Sequence, residues 1–111
     1  MARTTFSGPV VSLNGFIAGS GATITKILTA TATLDFTSIS GGAQGNLTVS
    51  VPGAAVGDEV IMALPAAPTA GLVFNAFVSA ADTVTIRASN ITGSPVDAAS
   101  ASYGVIVINA A

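Results

Sequence analysis

The chain has 111 residues, a net charge of −2, no histidine and no cysteine, and only 7% of it is charged. Half of it is hydrophobic, and the mean hydropathy is +0.77. The length bounds the chain to one domain, and the missing residue types exclude disulfides, a cysteine nucleophile, a Ser–His–Asp arrangement and the commonest zinc ligand.

Residues 1–21 come first and are set apart from the rest. Phe6, Pro9, Val10, Val11, Leu13, Phe16 and Ile17 are apolar, while Gly8-Pro9 and Asn14-Gly15 punctuate the run. Two conformations answer to this pattern. One is an extended arm that docks on another subunit. The other is a hairpin packed on its own domain, with Asn14-Gly15 as a type I′ turn. Gly19-Ser20-Gly21 reads as a hinge, leaving a body over residues 22–111.

Within the body the apolar period is two. Ala30, Ala32, Leu34 and Phe36 alternate with Thr29, Thr31, Thr33 and Asp35. Leu47, Val49 and Val51 alternate with Thr48 and Ser50, and Val84, Ile86 and Ala88 with Thr83, Thr85 and Arg87. These are half-buried strands with Thr-rich outer faces. Glu59–Leu64, Leu72–Ser79 and Tyr103–Asn109 are apolar on both sides. Such a strand lies centrally between layers or shows its second face to a partner.

Turn chemistry separates the runs. Gly41 to Asn46 reads as a flexible hairpin loop, Pro52-Gly53 as a type II turn centre, and Gly57-Asp58 as the entry to the next strand. Pro65 to Gly71 cannot continue a ladder, and the one place where the pattern allows a short helical turn is after Pro95. The pattern predicts an all-β fold, an antiparallel β-sandwich of about six to eight strands with an extended N-terminal arm.

So few charges leave Ser, Thr, Gly and Asn to cover the surface, against about 25% charged residues in ordinary soluble domains. More than one apolar face is therefore expected to be buried, part of it between chains. No apolar run reaches the roughly 18 to 20 residues of a spanning helix. Ser7, Gly8, Pro9, Ser12, Asn14 and Gly15 interrupt any signal-peptide core. Eight transmembrane strands of about ten residues would leave almost nothing for turns, so no membrane partner is expected. With only Arg3, Lys26 and Arg87 basic, no nucleic-acid partner is expected either.

Catalytic groups are sparse, and the chain is not expected to be an enzyme or to carry a cofactor. Lys26 is the only lysine and reads as a solvated strand-edge residue. Paired carboxylates for glycoside hydrolysis normally work beside Trp and Tyr, and Tyr103 is the only such ring here. Asp58, Asp82 and Asp97 each sit beside a turn, where the side chain bonds backbone amides. No EF-hand or RTX spacing supports calcium, and no Gly-rich phosphate loop is present. Asn46-Leu47-Thr48 and Asn90-Ile91-Thr92 match the short N-glycosylation pattern.

From Thr29 onward the chain resembles a β-module of tailed-phage structural proteins. The similarity covers about three quarters of the sequence, in the runs TATLDFTSISGGAQGNLTVSVPGAAVGDEV and PAAPTAGLVFNAFVSAADTVTIRASNITGSPVDAASASYGVIVI. LTVSVPGAAVGDEV and AADTVTIRASNITGS, with the Asp, Ser and Tyr that follow, are its most specific parts. The leading ARTTFSGPVVSLNGFI is similar to the lead-in of small phage head proteins. Gly104 departs from the module, which has a basic residue there, and this puts an electrostatic role at that position in question.

The resemblance implies a virion structural protein, a decoration (cement) protein on the outer surface of a phage capsid. Its implied partners are the major capsid protein and itself, as a homo-oligomer and most commonly a trimer. Synthesis would be in the bacterial cytoplasm. The module also occurs at the ends of fibre-like proteins, which makes a fibre-tip or receptor-binding module the alternative. A 111-residue chain with no coiled coil or β-helix shaft favours decoration. The seven apolar residues from Phe6 to Ile17 are the expected capsid contacts.

Overall fold

The computed structural model describes residues 3–110. It is an all-β sandwich of seven strands: β1 (Phe16–Ile17), β2 (Thr23–Leu34), β3 (Gln44–Ser50), β4 (Glu59–Ala63), β5 (Leu72–Ala80), β6 (Thr83–Asn90) and β7 (Ala101–Ala110). They form two antiparallel sheets, ordered β1-β2-β7-β4 and β3-β6-β5.

Side-chain alternation decides which face of each strand turns inward. Leu34, Val49, Val84, Ile86, Ala88, Val105 and Val107 are buried between the sheets, with Leu28, Ala30, Ala32, Leu47, Val60 and Met62 packed against them. Thr29, Thr31, Thr33, Thr48 and Ser50 face outward and are exposed. Phe36 lies beyond the end of β2, yet it is buried, its ring centroid 6.1 Å from Phe74 and 5.9 Å from Tyr103. Phe74 and Tyr103 complete the trio at 5.6 Å. Edge-on aromatic packing of this kind adds to simple area burial.

Strand β2 begins at Thr23, six residues ahead of the expected alternation. A register shift between Ile24 and Lys26 marks the join, and such a bulge breaks a strict period of two. At its root a hydrogen-bonded chain ties three elements together. Thr25 Oγ1 donates to Asn109 Oδ1 at 2.5 Å, and Asn109 Nδ2 donates to Asp58 Oδ1 at 2.6 Å. Asp58 Oδ2 in turn accepts the Ala55 amide at 2.9 Å.

Two expectations about connections are corrected. The stretch from Gly41 to Asn46 does not close a hairpin: β2 pairs with β7 and β3 with β6, so the chain crosses between sheets there. The short helical turn after Pro95 does not form either, and no described residue is helical. Val96 instead exchanges two backbone hydrogen bonds with Ile39, at 2.8 and 2.9 Å. Those bonds use the amide and carbonyl that a helix would need.

Asn90 holds that crossing in place. Its buried amide donates to the carbonyls of Ile39 and Ser94, both at 2.8 Å. Its Oδ1 accepts the Thr92 amide at 2.9 Å and the Thr92 hydroxyl at 2.7 Å. The side chain has no capacity left.

The expected Pro52-Gly53 turn is present, with Gly53 at φ 95° and the Ala54 amide bonded to the Val51 carbonyl at 3.1 Å. A positive φ at the third position is what a type II turn requires, and glycine supplies it without a steric cost.

Of the strands apolar on both sides, only β7 is central in its sheet. β4 and β5 lie at sheet edges. With two layers in all, the second face of each looks outward. The long axis of the molecule is 58 Å and the radius of gyration 17.5 Å, against about 13 Å for a compact chain of this length.

Candidate functional site

Residues 3–21, the described part of the N-terminal segment, contribute nothing to the core. Met1 and Ala2 of the expected arm lie outside the described residues. Phe6, Val10, Val11, Leu13, Phe16 and Ile17 are all more than half exposed, with Val11 at 81% and Leu13 at 92%. Pro9 is exposed as well.

A hairpin is present, but it is not at the expected place. Phe16 and Ile17 pair with Ile24 and Thr23, so the turn lies over Ala18–Ala22, where the Gly21 amide bonds the Ala18 carbonyl at 3.1 Å. Gly19-Ser20-Gly21 is therefore this turn. Asn14 lacks the positive φ that a type I′ turn needs at both central residues. Gly15 has φ 85°, and a Cβ there would collide with the Ile24 carbonyl. That close approach seats the segment against the start of β2. Val10, Ser12, Gly15 and Phe16 thereby line a groove of about 220 Å³ with Ile24, Thr25, Lys26 and Ile27.

A second concavity lies on the outer face of the β2-β7-β4 layer. It measures about 230 Å³ and is lined by the outward-facing Thr29, Thr31, Ile61, Ala63, Gly104 and Ile106, with Ala30, Met62 and Val105, whose side chains turn to the core, at its floor. Sequence reasoning did not find this surface. Its one signal was the double-sided apolar character of the segments that became β4 and β7. Nothing in the order of residues showed that those two strands are neighbours.

The opposite layer presents mainly polar groups, with Phe77 and the exposed Val73 among them. Arg87 lies 5.0 Å from the centre of the Phe77 ring, and its Nε donates to Asn46 Oδ1 at 2.9 Å. Thr85 Oγ1 donates to Ser79 Oγ at 2.6 Å.

No three potential metal ligands gather among the described residues. Asp82 accepts the Gly53 amide at 2.8 Å and Asp58 the Ala55 amide, as residues beside turns do. No such bond involves Asp97 among the described residues. Of the two glycosylation patterns, Asn90 is buried with its amide fully engaged, and Asn46 is exposed with its oxygen on Arg87. Lys26 is exposed and lies beside Gly53. Burial raises the pKa of the Tyr103 hydroxyl above its ordinary 10.0.

Comparison of the chain with protein-family models, with curated proteins and with solved structures finds no match.

Proposed function

We propose that this protein is a virion structural subunit, a decoration protein that binds the outer surface of a tailed-phage head as a homo-oligomer. The N-terminal segment makes the contact with the major capsid protein. The observation that carries this reading is the segment itself. Six large apolar side chains between Phe6 and Ile17 stay in water while the body behind them is fully formed.

Burying one such side chain contributes roughly 1.5 to 3 kcal/mol, so several together are enough to drive docking. The unpaired outer edge of β2 beyond Ile24, like the segment itself, also leaves backbone groups free for strand addition. A rigid β body with exposed apolar surface suits a cement role, in which the subunit spans joints between capsid proteins.

The test compares the full chain with a truncated one lacking residues 1–21, using undecorated phage heads and host cells as binding targets. The full chain is expected to bind heads, and the truncated chain is not. Binding to cells in place of heads would move the assignment to a fibre-tip module.

A further inference from the structure

The two outer faces of the sandwich differ in kind. On the β3-β6-β5 layer the register brings Asn46, Arg87 and Asn75 into one row and Thr48, Thr85 and Phe77 into the next. On the β2-β7-β4 layer the rows are Thr29, Ile106 and Ile61; then Ile27, Ile108 and Glu59; then Thr31, Gly104 and Ala63. Ile27 and Ile61 are 54% and 56% exposed. Glu59, at the margin, is the only charge in those rows.

The patch carries a projection and a recess side by side. Ile61 and Ile106 stand up from β4 and β7. One step along the strands, Gly104 has no side chain, and the recess of about 230 Å³ opens over it.

We propose that this patch is an interface with a second copy of the same chain, the two copies packing face to face about a two-fold axis. An isologous contact needs one surface that is complementary to itself, and an isoleucine beside a hole of side-chain size meets that condition. Rotation about the axis puts Ile61 of each copy over Gly104 of the other. Charge agrees with this occupant. With Glu59 at the margin as the only charge in its rows, the patch meets its own image with no like charges opposed at its centre.

The inference extends the homo-oligomer part of the reading above, and it specifies two copies where the resemblance implies three. It makes no use of the N-terminal segment.

Sedimentation equilibrium of the full chain at micromolar concentration tests it. The expected mass is twice 10.7 kDa. Gly104→Val fills the recess: a Cβ there meets Ala63 Cβ at 3.5 Å and Thr31 Cγ2 at 3.6 Å, ordinary contact distances. A β-branched residue also suits an outward strand position. This variant should melt no lower than the parent while the pair dissociates at least about tenfold more readily, a change of about 1.4 kcal/mol. Ile61→Lys, placing a charge on the projection, should give a monomer. A monomeric parent, a three-copy parent, or a pair indifferent to both substitutions would each overturn the proposal. Head binding is measured in parallel, so a failed pair and a failed head contact register as separate results.

Discussion

The carboxylate of Asp82, at the tip of the β5–β6 hairpin, accepts a hydrogen bond from the backbone amide of Gly53 at 2.8 Å, across 29 residues of sequence. Two backbone bonds flank it, Val51 N to Asp82 O at 2.8 Å and Asp82 N to Ala54 O at 2.9 Å. The hairpin tip and the turn that leads away from β3 are therefore one unit. Asp82 is also the only described residue other than glycine at positive φ, 61°.

Asp82→Ala removes the acceptor and leaves an alanine in the left-handed region. Both effects destabilise, by about 1 to 3 kcal/mol together. Asp82→Asn should recover most of this, because asparagine tolerates that backbone and keeps an acceptor oxygen. Urea denaturation midpoints of the two variants check the ordering, which must be alanine below asparagine.

Asn90→Asp should destabilise more strongly. The substitution replaces two donors with an acceptor, and the carbonyls of Ile39 and Ser94 then face an oxygen. Unsatisfied buried groups of this sort cost about 1 to 3 kcal/mol each, more when charged. Hydrogen exchange should show the loss first at the amides of Ile39 and Val96, which bridge the crossing that Asn90 supports.

The inward faces of β2, β3 and β6 were legible in the sequence because alternation reports directly on which side chains meet the core. Partnership between strands was not. Leu34 and Ala101 are register partners far apart in the chain, and an alternating strand looks the same whichever sheet it joins. The early part of β2 was hidden by the bulge at Thr25, and Phe36 was assigned to a strand that ends before it. At the candidate site, apolar content was readable and the placement of the turn was not. Asn-Gly carries a strong local preference, but the pairing of Phe16 with Ile24 places the turn five residues later, centred on Gly19-Ser20.

Tyr103 should make stability fall at alkaline pH. Its pKa is raised by burial, so the folded state holds the neutral phenol more tightly than the unfolded chain does. Below pH 10 both states are protonated and the stability is fully present. As the pH rises past 10 the unfolded chain ionises first, and stability is lost up to the folded pKa. Thermal melts between pH 8 and 12 should show this slope in the parent and a weaker one in Tyr103→Phe.

Phe6→Ala combined with Phe16→Ala should weaken head binding at least about tenfold, since each ring removed forfeits roughly 1.5 kcal/mol or more of burial on docking. Neither ring enters the core, so the melting temperature should hold within about five degrees. Calorimetry and a head-pelleting assay on the same preparation separate the two effects. Retained pelleting would remove the N-terminal segment from the contact.

The hairpin at the root of that segment also governs how tension on it would be borne. β1 holds β2 by two register pairs. A pull outward along the segment peels those pairs one after the other and lets the turn straighten, paying out a short length of slack. The same pull then reaches Thr23 in line with β2, which is held to β7 by ten register pairs. Loaded along their length, those pairs share the force and must fail together. The anchorage gives a little and then stiffens, as a sprung tether does, before the body is strained.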